Sequence, residues 1–339
     1  MPTLGFIGAG PVGTTFGVRL SEKGYTVAAV ADISPASAER FAKLIPGCRV
    51  LAGNQAVADA AEIVFITTAD DYIATVCSGL KWRKGQIAVH CSGASTVQSL
   101  DAAREQDAHV GSIHPCQSFS GIEQAIANLP GSTFGIEAEE PVKAVLTGMA
   151  RALKGDIVYL SSDDKVLYHA AAAIACNYFT TIVKLATDLW GNFGKTSADG
   201  IKAYMPLLRG TLNNIEAVGF PTCLTGPIAR GDVATIGRHL AALEKVAPQM
   251  VPLYRELGLF TVPIGQDKGT LASDKAQELN LFVVFGMTEK DPAGRLYNAN
   301  VFLGPEGVIG KHRKTLHVGY DGLIWSLSSG FEALDSPLC

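Results

Sequence analysis

Along the first half of the chain, short apolar runs alternate with stretches whose apolar residues recur at helical spacing. The runs are Leu4–Ile7, Thr26–Ala31, Ile63–Thr67, Ile87–His90, Val110–Ile113, Phe134–Ile136 and Ile157–Leu160. Strands alternating with helices build βαβ units, and near-continuous apolar strands belong to a sheet covered on both faces. The pattern therefore predicts an α/β fold with a doubly wound, mainly parallel sheet over residues 1–160. From Ser161 the texture changes. Residues 163–257 read as long Ala- and Leu-rich helices, broken at Gly194, at Gly219–Pro221 and at Gly226–Pro227, with little strand signal. An all-helical domain over 161–258 is expected. After Gly258 the pattern shifts again, to a helix (Leu271–Leu279), strands (Phe282–Phe285 and Asn300–Leu303), a turn at Pro305-Glu306-Gly307 and a basic stretch, Lys311–Lys314. That third part, 259–339, reads as a partial α/β segment, and Ser328–Cys339 reads as a loose end without periodicity.

Length agrees with several parts, since 339 residues at roughly 150 per domain make two or three units. With 47% hydrophobic and 18% charged residues the chain has material for sizeable cores. The net charge of −4 is spread among interspersed Asp, Glu, Lys and Arg, with no footprint for nucleic acid or anionic lipid; small molecules are the expected partners. Seven scattered cysteines without a CxxC pair indicate neither a zinc site nor a disulfide framework, so no metal is expected and a reducing cytoplasm fits. The N-terminus enters a strand pattern at once, without a charged n-region or an apolar h-region, so no signal peptide is expected. The most apolar window, Ala170–Val183, holds Asn177 and falls short of the roughly 20 residues of a bilayer span. It reads as a buried helix, and no membrane association is expected.

Candidate chemistry begins at Gly8-Ala9-Gly10-Pro11-Val12-Gly13, which follows the first strand and opens a helical pattern, Thr14–Glu22. In that context Gly8 permits the tight turn, Gly10 lets the backbone approach a pyrophosphate, and Gly13 allows close helix-to-strand packing, while the helix N-terminus favours the anion. The second strand ends in Asp32, near the offset of about 20 residues at which a carboxylate accepts hydrogen bonds from the adenosine ribose and repels a 2′-phosphate. This is a Rossmann fingerprint, with NAD favoured and NADP the alternative. The plainer reading is a glycine turn serving packing alone, with Asp32 capping a helix near Ser34 or Pro35. Thr67, Thr68 and Ser92 fall at strand C-termini, where ligands of open parallel sheets bind. The expected cofactor contacts are thus Gly8, Gly10, Pro11, Val12, Gly13, Asp32, Thr67, Thr68 and Ser92.

The sequence over about residues 3–258 resembles a group of Rossmann-like oxidoreductases in the broad superfamily of pyrroline-5-carboxylate reductase, deazaflavin-dependent NADP oxidoreductase and the β-hydroxyacid dehydrogenases. The resemblance rests on Gly5–Gly10, Val89–Ala94, Ser112–Phe119, Asp164-Lys165 through Tyr168-His169, Asn177-Tyr178 and Leu224–Asp232. It implies a Rossmann domain followed by a helical substrate or dimerisation domain, with the active site around the junction and a homodimer. Members often carry a Ser-Arg pair after the second strand, suited to NADP, where this chain has Asp32-Ile33. Lys165 and His169 lie at i and i+4 on one helix face, with Asn177 two turns on. Hydride reduction of a carbonyl or imine needs a proton donor beside the developing charge; Lys165 or His169 could supply it, and Asn177 could orient substrate. In the β-hydroxyacid dehydrogenases a helix lysine and a nearby asparagine have such roles. The plainer reading makes Lys165 a solvated first-turn residue, His169 a core histidine and Asn177 a packing amide. His114, with Pro115 and Ser118, ends a strand facing the cofactor cleft and either binds substrate or locks a loop. Arg230 either clamps a substrate carboxylate or forms a structural salt bridge.

From about Phe260 the chain is similar instead to the nitrilase and amidase (carbon-nitrogen hydrolase) superfamily, on Leu281–Lys290, Leu296–Asn298 and Gly304–Lys314. Those enzymes use a Glu, a Lys and a nucleophilic Cys. Lys314 matches the lysine; the glutamate and cysteine are not evident, and Cys339 lacks a strand and elbow to fix a thiolate. The tail reads as the middle portion of a nitrilase fold joined to a reductase, as in a fusion. The expected function is NAD(P)-dependent hydride transfer to or from a small carbonyl, imine or hydroxy acid. The alternatives are a catalytically silent dinucleotide-binding protein, or a carbon-nitrogen hydrolase completed by another chain.

Overall fold

A computed structural model describes residues 1–270, 283–290, 296–304 and 307–314. The chain divides into two compact units, Met1–Ile182 and Val183–Cys339.

In the first unit, eight strands form one sheet: β1 (Thr3–Ile7), β2 (Thr26–Ala31), β3 (Arg49–Val50), β4 (Ile63–Ile66), β5 (Ile87–His90), β6 (His109–Pro115), β7 (Thr133–Ala138) and β8 (Asp156–Tyr159). Between them run α1 (Pro11–Ser21), α2 (Pro35–Leu44), α3 (Asn54–Ala60), α4 (Ile73–Ser78), α5 (Asp101–Arg104), α6 (Ile122–Asn128) and α7 (Val142–Ala152). The spatial order is β3-β2-β1-β4-β5-β6-β7-β8. Neighbours are parallel except β6 and β7, which pair antiparallel from Gly111↔Ala138 to Pro115↔Phe134. Because the chain winds outward from β1 in both directions, the strand order reverses between β1 and β4, the crevice where doubly wound sheets bind ligands.

Period-two alternation explains why the strands read as unbroken apolar runs. In β4, Ile63 and Phe65 bury against one face while Val64 and Ile66 bury against the other. Phe6 of β1 stacks on Phe65 with ring centroids 4.9 Å apart. Full burial of a side chain of this size is worth about 1.5–3 kcal/mol, so this aromatic layer holds β1 and β4 in register beneath the crevice.

Some boundaries differ from the pattern. Helix α1 starts at Pro11 rather than Thr14, because proline's fixed φ suits the first helical position and its missing N–H would have no partner there. Strand β3 was not marked by an apolar run, since Arg49 and Val50 are both exposed. Strand β6 runs on through His114 and Pro115, which pair with Gly135 and Phe134.

The sheet ends at Tyr159, yet the compact unit continues to Ile182 because α8 (Ser162–Ala173) packs back onto the sheet through the buried Lys165. A capping box between Ser161 and Asp164 starts this helix. A π-helical turn, Ile174–Tyr178, then leads into α9 (Phe179–Asp188). The expectation that Ala170–Val183 is buried is not met in the single chain: Ile174 is 62% and Tyr178 61% exposed. One face of the helix seats Lys165 and Tyr168, while Val166 and Leu167 are exposed. The run Ser162–Phe193, whose most apolar 18-residue window has mean hydropathy 1.4, is long and apolar enough by length and composition to cross a membrane.

The second unit contains α10 (Ser197–Val218), α11 (Val233–Val246) and α12 (Val251–Asp267). Its described apolar clusters are small, around Ile236 with Val262 and around Leu243, Ala247 and Val251. The helical pattern does not stop at Gly258. That glycine lies buried inside α12, where a Cβ would make only ordinary contact with Ile228 Cδ1 at 3.6 Å, and the helix continues to Asp267. Beyond it, β9 (Val283–Lys290), β10 (Leu296–Gly304) and β11 (Gly307–Lys314) form an antiparallel sheet in the order β11-β10-β9. The basic stretch 311–314 is thus strand, and Lys314 pairs with Asn298. The expected helix 271–279, the residues Phe282, Pro305 and Glu306, and the end from Ser328 to Cys339 lie outside the described residues.

Candidate functional site

Three glycines of the first loop have three different reasons to be glycine. Gly8 has φ +105°, a conformation other residues rarely adopt, and a Cβ there would lie 2.6 Å from the Thr67 carbonyl. Gly13 packs against Gly8 and the Thr67 side chain with no room for a Cβ. Gly10 has an ordinary backbone (φ −69°, ψ −178°), and no atom lies within 4 Å of where its Cβ would be. Nothing inside the protein requires glycine at 10, but a ligand lying against the backbone would. The open cradle sits at the start of α1, whose first turn begins with Pro11 and Val12 and has no side-chain cap, so its N–H groups are directed at whatever occupies it.

The surrounding residues fix this loop. Thr67 Oγ1 donates to Gly8 O at 2.7 Å. Asp32 accepts from Ala9 N at 2.6 Å and from Ser34 N at 2.7 Å, tying the end of β2 to the glycine loop. A carboxylate has about four acceptor positions, so two remain for hydroxyls. Thr68 Oγ1 is buried without a hydrogen-bond partner. Ser92, at the end of β5, donates to Asp70 Oδ2 at 2.6 Å and accepts from Ser95 N at 2.9 Å, shaping the loop that carries Gly93.

Three strands along the sheet edge, a second cluster forms on β6 and α8. His114 Nδ1 shares a hydrogen bond of 3.0 Å with the Tyr168 hydroxyl. The His114 and His169 rings meet edge to face with centroids 5.9 Å apart. Both converge on Gly93: a Cβ there would lie 2.6 Å from His169 Cδ2 and 2.8 Å from His114 Nε2. Burial, helped by the neighbouring His169 and Lys165, pushes the His114 pKa down to about 4, so its imidazole is neutral at pH 7. Burial, reinforced by Cys116, raises the Tyr168 phenol above its ordinary value. These groups open onto a cavity of about 560 Å³, lined by His114, Ser118 and Phe119 on one side and His169, Ala173 and Asn177 on the other. Asn177 reaches it from the π turn; such turns are frequent at functional sites because they shift side chains out of helical register.

Lys165 is only 1% exposed and faces the sheet. Its Nζ donates to Ser92 O at 3.0 Å and to Ser112 Oγ, and lies 3.5 Å from Glu137 Oε2. Glu137 also accepts from Val97 N at 3.1 Å and from Ser162 Oγ. Burial lowers the Lys165 pKa, and Glu137 opposes that shift. Lys165 therefore braces the carbonyl beside Gly93 and does not line the cavity. A larger cavity, about 680 Å³, has Glu137, Gln98 and Ser162 in its wall. It includes neither the glycine loop nor the paired histidines, so size alone does not make it the candidate site.

His169 and Lys165 do share one helix face, and both meet the Ser92-Gly93 segment. Arg230 is exposed in the second unit, two residues before Asp232, which caps α11. Sequence reasoning passed over Glu137, and gave Gly93, Cys116 and Tyr168 no site role although they fall within the motifs that carry the resemblance. The available signal for Glu137 was a carboxylate directly following the apolar run Phe134–Ile136, and for Tyr168 its place beside His169.

Residues 2–115 match the Rossmann-like domain family, and residues 132–261 match a domain of unknown function, DUF2520. Among solved structures, a proposed NADP oxidoreductase of Bacteroides fragilis is similar at 24% identity, TM-score 0.64, over 77% of this chain and 98% of that one. A Thermotoga maritima protein is similar at 25% identity, TM-score 0.62, over 78% and 99%. A reductive aminase from Aspergillus terreus, solved with NADPH and ethyl-5-oxohexanoate, is similar at 17% identity, TM-score 0.56, over 80% and 96%. Curated sequence relatives are of another kind: an aliphatic nitrilase of Sinorhizobium fredii, 32% identical over 111 residues (33% of this chain), and an arylacetonitrilase of Trametes versicolor, 41% identical over 56 residues (16% of this chain). The chain spans 34% of the length of the first and 17% of the second. The architecture shared with the solved structures is a Rossmann-like α/β domain followed by a helical region.

Proposed function

We propose that this chain is a nicotinamide-dinucleotide-dependent oxidoreductase that moves a hydride to or from a small carbonyl, imine or hydroxy-acid substrate. The observation that carries the reading is the open cradle at Gly10, a glycine that neither backbone geometry nor packing requires. A bound nicotinamide supplies or accepts the hydride. The chain's own residues do the rest. The first turn of α1 binds the pyrophosphate, and Asp32 accepts from the ribose hydroxyls at the other end of the loop. From Gly8 to the β6 end is three strand spacings, roughly 14 Å at about 4.8 Å each, a distance an extended dinucleotide can bridge along the strand C-termini. His169, exposed in the cavity, gives the proton to the reduced substrate; the His114–Tyr168 pair orients it, and Asn177 holds the substrate's polar group. Lys165 is assigned to positioning, through Ser92, in place of direct proton transfer.

Asp32 supports NAD as the cofactor, because a 2′-phosphate would meet its carboxylate. The reductive aminase among the structural neighbours holds NADPH, so the relative affinity for the two cofactors is itself informative. The exposed face of Ser162–Phe193 supports a homodimer in which a second copy covers it. For the tail, partial identity to two nitrilases supports a nitrilase-derived segment in which Lys314 is the family lysine, as in a fusion. A silent dinucleotide-binding protein would show no turnover at all. The reading is tested by following NADH consumption with a panel of ketones, imines and 2-oxo acids. Turnover that His169→Asn reduces severalfold or more, with NADH affinity kept, is expected; full activity in that variant would reject His169 as the donor.

A further inference from the structure

The cavity beside His114 and His169 has a neutral wall. Its polar side chains are the two imidazoles, the amides of Gln117 and Asn177, the hydroxyls of Ser118 and Ser120 and the thiols of Cys116 and Cys176, set against alanine methyls and the Phe119 ring. Lys165, whose charge acts on His114, is buried and already holds Ser92 O, Ser112 Oγ and Glu137. Three backbone donors at the start of the loop after β6 are engaged: Cys116 N donates to Thr133 O, Gln117 N to Pro115 O and Ser118 N to Gln117 Oε1, each at 2.8 Å. The two carboxylates behind the wall are committed as well, Glu137 to Lys165 and Asp70 to Ser92. A carboxylate entering this cavity would lose water and gain no cationic side chain from the residues that line it, and an iminium cation would gain no anion from them. A neutral oxygen needs only one or two hydrogen-bond donors, which the imidazole and amide groups supply.

We propose that the substrate taken by this cavity is an uncharged carbonyl compound with an apolar body, reduced to its alcohol, in preference to a 2-oxo acid or an iminium ion. This rests on the oxidoreductase reading above and narrows it. The carbonyl carbon gains the hydride, its oxygen gains a proton from His169, and the carbonyl is reduced by two electrons as the dihydronicotinamide dinucleotide is oxidised. The alanines and Phe119 receive the hydrocarbon body.

Cys116 and Cys176 are exposed in this wall, which gives a readout independent of turnover. The full chain, with NADH present, is alkylated with iodoacetamide, and the labelling rate at each cysteine is followed by mass spectrometry with cyclohexanone, pyruvate or 1-pyrroline added. NADH consumption is measured in parallel. Cyclohexanone should slow labelling of Cys116 and Cys176 severalfold and be reduced, while pyruvate and 1-pyrroline at equal concentration do neither. Protection and turnover by pyruvate, lost in Arg230→Ala, would overturn the proposal and assign a carboxylate clamp to Arg230. Preference for 1-pyrroline, or protection by none of the three although NADH binds, would overturn it too. Fluorescence of bound NADH is recorded separately, so failure of the cofactor reading is distinguishable from failure of the substrate assignment.

Discussion

The Lys165–Glu137 pair shows how one residue's burial decides its role. An unpaired charge left behind in a buried site costs far more than the pair contributes, so Lys165→Met should destabilise the protein by about 3–5 kcal/mol, measured by denaturant unfolding. Adding Glu137→Gln, which removes the stranded charge but keeps an acceptor for Val97 N and the Ser162 hydroxyl, should restore part of that loss. A fully stable Lys165→Met variant would contradict the burial described here. The histidines make the pH prediction. Burial holds the pKa of His90 down to about 3, and burial with its neighbours holds that of His114 down to about 4, against 6.5 for an ordinary histidine. Between these values the unfolded chain binds more protons than the folded one, so stability rises with pH. The contribution is complete above about pH 6.5 and is lost as pH falls toward 4 and below. Chemical denaturation at steps between pH 7.5 and 4 should show this slope, flattened in a His90→Asn variant; equal slopes in both proteins would remove His90 from the explanation.

At the scale of elements, the site depends on a loop and a helix meeting at Gly93. Gly93→Ala places a methyl within 2.6–2.9 Å of both histidines, so they must move. The expected outcome is a fall in kcat of tenfold or more, about 1.4 kcal/mol or greater in barrier, with NADH affinity little changed because Gly10 and Asp32 lie elsewhere. Unchanged kcat would mean that the paired histidines take no part. Most of this framework was legible in sequence: the βαβ alternation, the glycine loop at the end of β1 and the acidic end of β2 are local patterns with local causes. What was not legible is long range. That Gly93 must be glycine depends on His169, and that Lys165 points inward depends on Glu137, partners brought together only by the packing of α8 on the sheet. The apolar window Ala170–Val183 carries the same lesson, since composition marks a face as apolar but does not say whether its cover lies in the same chain. Gly258 read as a stop and lies within α12, because one glycine costs a helix only about 1 kcal/mol and does not end it.

For the whole molecule, the exposed apolar run Ser162–Phe193 is larger than isolated surface hydrophobics explain. A homodimer burying it should elute at twice the chain mass in size-exclusion chromatography with light scattering, and Ile174→Lys together with Phe179→Lys should shift the species to monomer. A monodisperse wild-type monomer would contradict that assembly. The central claim is that the chain holds a nicotinamide dinucleotide at the crevice between β1 and β4. The measurement that tests it most directly is a calorimetric titration of the full chain with NADH and with NADPH, repeated on Gly10→Val. Valine at 10 meets an ordinary backbone and open space, so the variant should melt with the wild type; NADH should bind the wild type more tightly than NADPH and lose tenfold or more in affinity, at least about 1.4 kcal/mol, in the variant. Binding of neither dinucleotide, or equal binding by the folded Gly10→Val protein, would contradict it.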